Sequence, residues 1–231
     1  ACHKLGLKDR LTPSMLLFTL SISMSVSKFS EYALFHLALK NAKYLEPVYP
    51  GDTLRNYFRI NTIRPTSDNQ NLIVDSTHIL INQLDNVVYT SEKSTLFPKM
   101  EPTDSNNSRQ ERLHHTQPET LRQKIIDRAN DITGHLKVKV STADNQLIIH
   151  SHVKVFDESE IRSLSTLLRL TNAHHYNNIV FDQTDLVVAG PFVIAASLAT
   201  PIDDLGQVIY EEIVHSSNIN MVNFGDTIGA M

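Results

Sequence analysis

The segment Pro47-Val48-Tyr49-Pro50-Gly51-Asp52-Thr53-Leu54 decides how the fold is predicted. Its two prolines and glycine predict a turn, because Pro and Gly interrupt both helices and strands. Residues 12–25, upstream of this turn, are mostly Leu, Met, Phe and Ile interrupted by small hydroxyl residues, which is typical of a buried helix. We expect Thr12 to be the N-cap of that helix and Pro13 its first residue.

Strand patterns follow the turn. Residues 53–63, 71–82 and 87–97 are rich in β-branched and aromatic residues in partial alternation, and polar segments separate them. They predict a three-stranded antiparallel meander whose last two strands form a hairpin. Residues 32–44 contain many apolar side chains without a regular period, so no element is assigned to them.

The second half of the chain begins after a polar segment, residues 100–119, which is typical of a linker. Its patterns predict helices over residues 119–130 and 157–171, the latter capped by Asp157 or Ser159, and strands over residues 135–141 and 146–156. A short extended segment then leads into an apolar helix that begins at Gly190-Pro191 and extends to about residue 199.

Two pieces of sequence recur in the same order. Pro13-Ser14-Met15-Leu16-Leu17-Phe18 corresponds to Pro191-Phe192-Val193-Ile194-Ala195-Ala196, and Gly51-Asp52-Thr53-Leu54 corresponds to Gly225-Asp226-Thr227-Ile228. The two offsets are 178 and 174 residues, so order and spacing are both kept. We interpret this as an internal duplication, with chance recurrence of a common Gly-Asp-Thr turn as the alternative.

Composition excludes several classes of protein. The 231 residues carry a net charge of −4, which disfavours broad binding to a phosphate backbone. A single cysteine, Cys2, rules out an intrachain disulfide and a cysteine-based zinc site. The apolar run over residues 15–24 is shorter than the roughly 20 residues that a membrane span needs.

An apolar helix followed by Pro-Val-Tyr-Pro-Gly-Asp-Thr-Leu, with a second copy of the pattern, resembles the MaoC-like branch of the hotdog fold. The segment Leu170-Thr171-Asn172-Ala173-His174-His175-Tyr176-Asn177 is similar to mesaconyl-CoA hydratases and to mitochondrial type 2 hydroxyacyl-thioester dehydratases. The resemblance implies an α+β tandem hotdog, with antiparallel sheets around central helices. Its expected parts are a first hotdog over residues 1–99, a linker over residues 100–120 and a second hotdog over residues 121–231. The first would lack its N-terminal part and the second its last strands, so the chain is expected to be a fragment, or its sheet edges to be covered by a partner.

The resemblance also implies roles for individual residues. His175 would act as acid and base, and Gly190 would donate its N–H to the thioester oxygen at a helix N-terminus. The family has Asp five residues before the His, but here that residue is Leu170. If two residues are deleted, Asn172 takes the place of the Asp, and a neutral amide binds water without accepting a proton. Activity is therefore expected to be impaired or lost, and structural roles for His175 and Gly190 stay open.

Three functions follow from this resemblance. The first is an enoyl-thioester hydratase or dehydratase, and the second a non-catalytic subunit of a large mitochondrial assembly such as a respiratory complex, ATP synthase or ribosome. The third is a module that binds acyl-CoA or an acyl carrier without turnover. The expected partners are an acyl-CoA or acyl-carrier thioester and other protein chains, in a homodimer or a larger complex. The expected location is the mitochondrial matrix, or otherwise the cytoplasm.

No cofactor and no metal are expected. Histidines that are adjacent in sequence, such as His174 and His175, point apart on a strand or turn, and no third ligand follows at a suitable spacing.

Overall fold

The computed structural model describes residues 2–99, 121–129, 147–205 and 208–231, without the side chains of residues 183 and 203. The helices are α1 (Ser14–Ser23), α2 (Leu121–Ala129), α3 (Glu158–Leu167), α4 (Gly190–Ala199) and α5 (Ile202–Leu205). The strands are β1 (Phe35–Tyr44), β2 (Arg55–Pro65), β3 (Asn71–Ile81), β4 (Val87–Pro98), β5 (Val153–Val155), β6 (Ile213–Ser217) and β7 (Thr227–Gly229). The predicted linker and the predicted strand over residues 135–141 lie outside the described residues.

The main sheet has five strands in the order β2-β3-β4-β1-β6. All its neighbouring strands are antiparallel, and the predicted meander of β2, β3 and β4 is confirmed. Strand β6 comes from the second half of the chain and pairs with β1 of the first. The sheet therefore joins sequence from both halves, while the division of the chain at residues 99 and 121 stays a prediction.

Strand β1 has no counterpart among the predicted elements. Its register against β4 shifts between His36 and Ala38 and again between Lys40 and Lys43, and Asn41 has a φ of 50°. Each irregularity interrupts the two-residue alternation that identifies a strand. This explains why the apolar residues in this segment show no regular period.

Helix α1 is buried against the main sheet. Its Leu17, Phe18 and Ile22 pack in one core cluster with Leu39 of β1 and Tyr89 of β4. The predicted cap was wrong by one residue: Pro13 occupies the N-cap position, without a side-chain hydrogen bond, and Ser14 is the first helical residue. Thr12 instead donates its backbone N–H to the carbonyl oxygen of Val48 at 2.8 Å, which ties the helix start to the segment before the turn.

Helix α4 is the counterpart of α1 in the second half and also contributes to the core. Its Ile194 joins the cluster around α1, and its Phe192 joins a second cluster with Phe156 and Ile161. Helix α4 therefore carries apolar residues on more than one side, as its continuous apolar run predicts.

The two Gly-Asp-Thr turns have the same geometry. Gly51 and Gly225 have φ values of +95° and +90°, in the left-handed region that favours glycine. Three residues before each aspartate, a backbone N–H donates to its carboxylate at 2.8 Å: Tyr49 to Asp52, and Asn223 to Asp226. The repeated sequence thus forms the same turn twice, which supports the internal duplication.

The second half follows its predicted pattern in part. Asp157 caps α3, because its carboxylate accepts the backbone N–H groups of Ser159 and Glu160 at 2.9 and 3.2 Å. The strand predicted over residues 146–156 was too long, since in its described part, residues 147–156, the strand is limited to Val153–Val155, which pair with β7. Within the described ranges, no helix is both long and apolar enough to cross a membrane.

Candidate active site

A cavity of about 70 Å³ lies at the N-terminal end of α4. It is lined by residues of β1 and β4 on one side and by the segments around residues 172–175, 187–190 and 218–222 on the other. Asn172, His175 and Gly190, the three site residues predicted from the sequence, all line it. The structure therefore brings these residues to one place, and their roles in catalysis stay a prediction.

Asn172 is buried, and its side chain connects the two halves of the chain. Its Nδ2 donates to the carbonyl oxygen of Ser30 and, at 3.2 Å, to that of Glu31. Carbonyl oxygens only accept hydrogen bonds, so the nitrogen of the amide must face them. The Oδ1 atom is then left as an acceptor, and no hydrogen bond to it is found within the described part of the chain.

His175 follows in a short 3-10 turn, Ala173–His175, and is also buried. Its Nδ1 lies 3.0 Å from the carbonyl oxygen of Val187, which fixes the proton on Nδ1. In the neutral ring Nε2 therefore carries a lone pair. Burial, followed by the neighbouring His174, lowers the pKa of His175 to about 3, so the ring is neutral at pH 7 and its Nε2 is an acceptor.

Gly190 is the first residue of α4, after Ala189 at the N-cap position. The N–H groups of a first helical turn have no acceptors within their own helix, and the helix dipole favours negative charge there. Pro191, the next residue, has no N–H. The Gly190 N–H is thus an available donor at the wall of the cavity, as its predicted role requires.

Steric constraints also favour glycine at position 190. A Cβ atom on Gly190 would lie 3.3 Å from Nδ2 of Asn218 and 3.4 Å from Nδ1 of His36. Asn218 holds this arrangement together, because its Nδ2 donates to the carbonyl oxygen of His36 at 2.7 Å. Gly190 therefore allows α4 to approach β1 closely, and it also keeps its own N–H available as a donor.

His36 was not among the predicted site residues. Its Nε2 lies 3.0 Å from the carbonyl oxygen of Ala38, so Nε2 carries the proton, and the buried Nδ1 has no partner within the described residues. Burial and the nearby Lys93 lower the pKa of His36 well below its ordinary value. The ring is therefore neutral and presents an acceptor beside Gly190.

Lys93 and Thr95 also line the cavity and were missed by the sequence analysis. Both are buried on β4, in a row of inward-facing residues that includes Tyr89, Ser91 and Phe97. This alternation is visible in the sequence, and the two-residue period of a strand places a residue between Ser91 and Thr95 on the same face. Lys93 was not predicted to be buried, because a charged lysine is rarely buried without a partner.

Two residues that line the cavity each carry an acceptor for a water molecule. A water has two O–H donors, and Asn172 Oδ1 and His175 Nε2 each supply an acceptor at the cavity. A water that donates to both keeps a lone pair on its oxygen for a carbon electrophile.

No group of three or more potential metal ligands is found among the described residues.

Comparisons with solved structures show the fold. A protein from Chloroflexus aurantiacus J-10-fl, described as a MaoC domain protein dehydratase, matches 98% of this chain and 68% of its own, with a TM-score of 0.73 and 22% identity. A conserved hypothetical protein from Mycobacterium tuberculosis with a double hotdog fold matches 96% of this chain and 69% of its own, with a TM-score of 0.66 and 16% identity. A MaoC-like dehydratase matches 88% and 66%, with a TM-score of 0.60 and 12% identity.

No family model and no curated protein sequence matches the chain. These three structural matches are below 25% identity, so they establish the fold and leave the activity to be argued from the site. The chain has an α+β double hotdog fold, as the sequence predicts. Its structural neighbours include MaoC-like dehydratases.

Proposed function

We propose that this protein is an enoyl-thioester hydratase, or a 3-hydroxyacyl-thioester dehydratase in the reverse direction, acting on an acyl-CoA or acyl-carrier thioester. The observation that carries the proposal is the common cavity, which is lined by the imidazole of His175, the amide of Asn172 and Gly190 at the start of α4. These are the groups that addition of water to a conjugated thioester needs. The fold shared with MaoC-like dehydratases supports it.

In the hydration direction, Asn172 Oδ1 and His175 Nε2 hold the water, and its oxygen attacks the β-carbon of the enoyl thioester. His175 Nε2 takes a proton from the water as the C–O bond forms. The electron pair of the double bond moves toward the thioester oxygen, where the Gly190 N–H and the α4 dipole stabilise the enolate. The imidazolium then returns its proton to the α-carbon, so one water is added and His175 is neutral again.

The hydrogen bonds of Asn172 weaken the argument that activity is impaired. That expectation followed from the absence of an acidic partner for His175. In this site the residue at position 172 donates two hydrogen bonds to carbonyl groups and offers an acceptor to water, which an amide can do and a carboxylate cannot. His175 is the base in this mechanism, so no second proton acceptor is needed.

The test is hydration of crotonyl-CoA by the purified protein, followed as loss of the absorbance of the conjugated enoyl thioester. His175→Gln is expected to lower kcat by roughly 10²- to 10⁴-fold, the range for removal of a general base. His215→Gln is the matched control, because His215 is exposed on β6, and it is expected to turn over at the wild-type rate.

Wild-type protein that does not hydrate this or longer enoyl thioesters, while remaining folded, would contradict the proposal. That outcome would favour a non-catalytic double hotdog subunit or a thioester-binding module. Equal rates for wild type and His175→Gln would instead show that the catalytic base is another residue.

A further inference from the structure

Lys93 is a buried cation that has no anionic partner in the described part of the chain. It is 4% exposed, lies on β4 and lines the same cavity as His175 and Gly190. It forms no ion pair among the described residues, and its Nζ lies 5.9 Å from the centre of the Phe29 ring. Of the described residues that line the cavity, none is Asp or Glu. An ammonium group out of water and without an anion is costly for the folded protein.

The titratable groups around Lys93 are neutral at pH 7. They are His36 on β1, His78 on β3, Tyr89 on β4, and His174 and His175 in the turn after α3. Burial lowers the pKa values of the four histidines and raises that of the tyrosine, so each stays uncharged. Among the described residues that line the cavity, Lys93 is therefore alone in changing its charge between pH 7 and pH 9.5.

The charge of Lys93 acts more strongly near Gly190 than near His175. His36 marks the Gly190 side, because its Nδ1 lies 3.4 Å from the place of a Cβ atom on Gly190. After burial, Lys93 has the largest effect on the pKa of His36, larger than that of a backbone carbonyl oxygen at 3.0 Å. At His175, Lys93 has less effect on the pKa than burial, His174 and a carbonyl oxygen at the same 3.0 Å. Electrostatic effects weaken with distance, so the ammonium group favours negative charge at the start of α4.

A second donor on the same strand also lacks an acceptor. Thr95 lies two residues after Lys93, lines the cavity and is 1% exposed. Its Oγ1 is buried without a hydrogen-bond partner among the described residues. A hydroxyl can donate to an oxygen anion, and so can an ammonium group. The β4 wall of the cavity is thus suited to an oxygen anion that the described part of the protein does not itself supply.

We propose that Lys93 is a catalytic residue whose ammonium group stabilises the enolate oxygen that forms when water adds to the enoyl thioester. The inference rests on the proposed function, because the thioester oxygen would lie at the Gly190 N–H in the same cavity. That oxygen gains negative charge as the enolate forms, so a fixed cation stabilises the transition state more than the bound substrate. Lys93 stays protonated throughout, and the proton that returns to the α-carbon comes from His175.

A substitution that removes only the charge tests this role. Lys93→Met keeps an unbranched apolar side chain and is expected to lower kcat for crotonyl-CoA by roughly 10²- to 10³-fold, the range for loss of one oxyanion donor, with KM nearly unchanged. Lys40→Met is the matched control, because Lys40 is exposed on β1, and it should keep the wild-type kcat. Circular dichroism of each variant checks that it is folded. A wild-type kcat in folded Lys93→Met, or a loss confined to KM, would overturn the inference.

The pH dependence is a readout that a structural role for Lys93 would not change. Burial lowers the pKa of Lys93 from 10.5 to about 8, so the free protein loses the ammonium charge above this pH. The wild-type kcat/KM is expected to fall as pH rises from 7 to 9.5, because the protonated form is the active one. In Lys93→Met, kcat/KM should be lower and level over this range. A decline of the same shape in Lys93→Met would assign the titrating group elsewhere and overturn the inference.

Exchange of α-protons separates the role of Lys93 from the proposed function. Butanoyl-CoA cannot add water, but a protein that forms its enolate exchanges its α-protons in deuterium oxide, which mass spectrometry detects. Equal hydration of crotonyl-CoA by wild type and Lys93→Met leaves the hydratase proposal and removes the role of Lys93. Lys93-dependent exchange without hydration of any enoyl thioester leaves the stabilised enolate and removes the hydratase proposal. Folded wild-type protein that neither hydrates nor exchanges overturns both.

Discussion

In the sequence, Asn172 looks like the loss of a catalytic acid. In the structure, its amide makes hydrogen bonds that an acid could not make. The sequence shows only that an amide stands where the resemblance expects an acid. The hydrogen bonds show why: the carbonyl groups of Ser30 and Glu31 lie where the side chain must donate. These carbonyls come from a segment about 140 residues away in sequence, so this constraint was not visible without the fold.

Replacement of Asn172 by Asp is therefore expected to destabilise the protein rather than to improve catalysis. The carboxylate would face two carbonyl oxygens, and leaving buried groups unsatisfied costs about 1 to 3 kcal/mol each. We expect Asn172→Asp to lower the free energy of unfolding in urea by about 3 kcal/mol. In Asn177→Asp, the side-chain oxygen can still accept the N–H of Ile179, so this control should stay within about 0.5 kcal/mol of wild type. Unchanged stability with faster hydration in Asn172→Asp would contradict the assigned orientation of the amide.

The buried charge of Lys93 leads to a prediction about stability. Burial lowers its pKa from the ordinary value of 10.5 to about 8, so the folded state binds this proton less tightly than the unfolded state. Below pH 8 both states are protonated and the charge destabilises the fold by about 3 kcal/mol, at 1.36 kcal/mol per pKa unit. As pH rises from 8 toward 10.5 the folded protein loses the proton first, and this destabilisation decreases.

Lys93→Met is accordingly expected to unfold at higher urea concentration than wild type at pH 7.5, without bound ligand. The difference in free energy should fall from about 3 kcal/mol at pH 7.5 to about 1.5 kcal/mol at pH 9.5. Burial raises the pKa values of Tyr44 and Tyr89, so their effect on stability begins near pH 10, above this window. Lys40→Met should show no such pH-dependent difference, and a constant difference for Lys93→Met would argue against a buried charge.

At the scale of elements, the regular patterns were predictable and the irregular ones were not. The helices α1 and α4 and the meander of β2, β3 and β4 follow continuous apolar runs or alternation, which depend on local sequence. Strand β1 was missed because its bulges break the alternation, and β5 was predicted too long because pairing depends on a partner strand. Boundaries such as the start of α1 shifted by one residue, since caps depend on tertiary contacts.

The cap of α3 is an element whose contribution can be measured. Asp157 accepts two backbone N–H groups at the start of the helix that leads to Asn172 and His175. We expect Asp157→Ala to lower the urea midpoint of unfolding, because the two N-cap hydrogen bonds are lost. Asp182 precedes the short 3-10 turn Gln183–Asp185 and makes no side-chain capping bond, so Asp182→Ala is the control. Equal urea midpoints for the two variants would show that the cap does not stabilise α3.

At the scale of the whole molecule, the duplication explains how the site is built. Equivalent turns and equivalent buried helices recur in the two halves, and β6 of the second half extends the sheet of the first. The cavity lies where α4 meets β1 and β4, so both halves contribute to its wall. Asn172, His175 and Gly190 were predicted because the motifs that contain them, all in the second half, resemble those of a known family. Lys93, Thr95 and His36 come from the first half, and only the fold brings them to the same place.

The central claim is that a conjugated thioester binds in this cavity with its carbonyl oxygen at the start of α4. It is tested most directly by a crystal structure of His175→Gln with bound crotonyl-CoA. The predicted result is a thioester oxygen at about 2.7–3.2 Å from the Gly190 nitrogen, the range of an N–H···O hydrogen bond, with the β-carbon facing residues 172 and 175. A thioester bound elsewhere on the protein, or one whose oxygen points away from Gly190, would contradict the account.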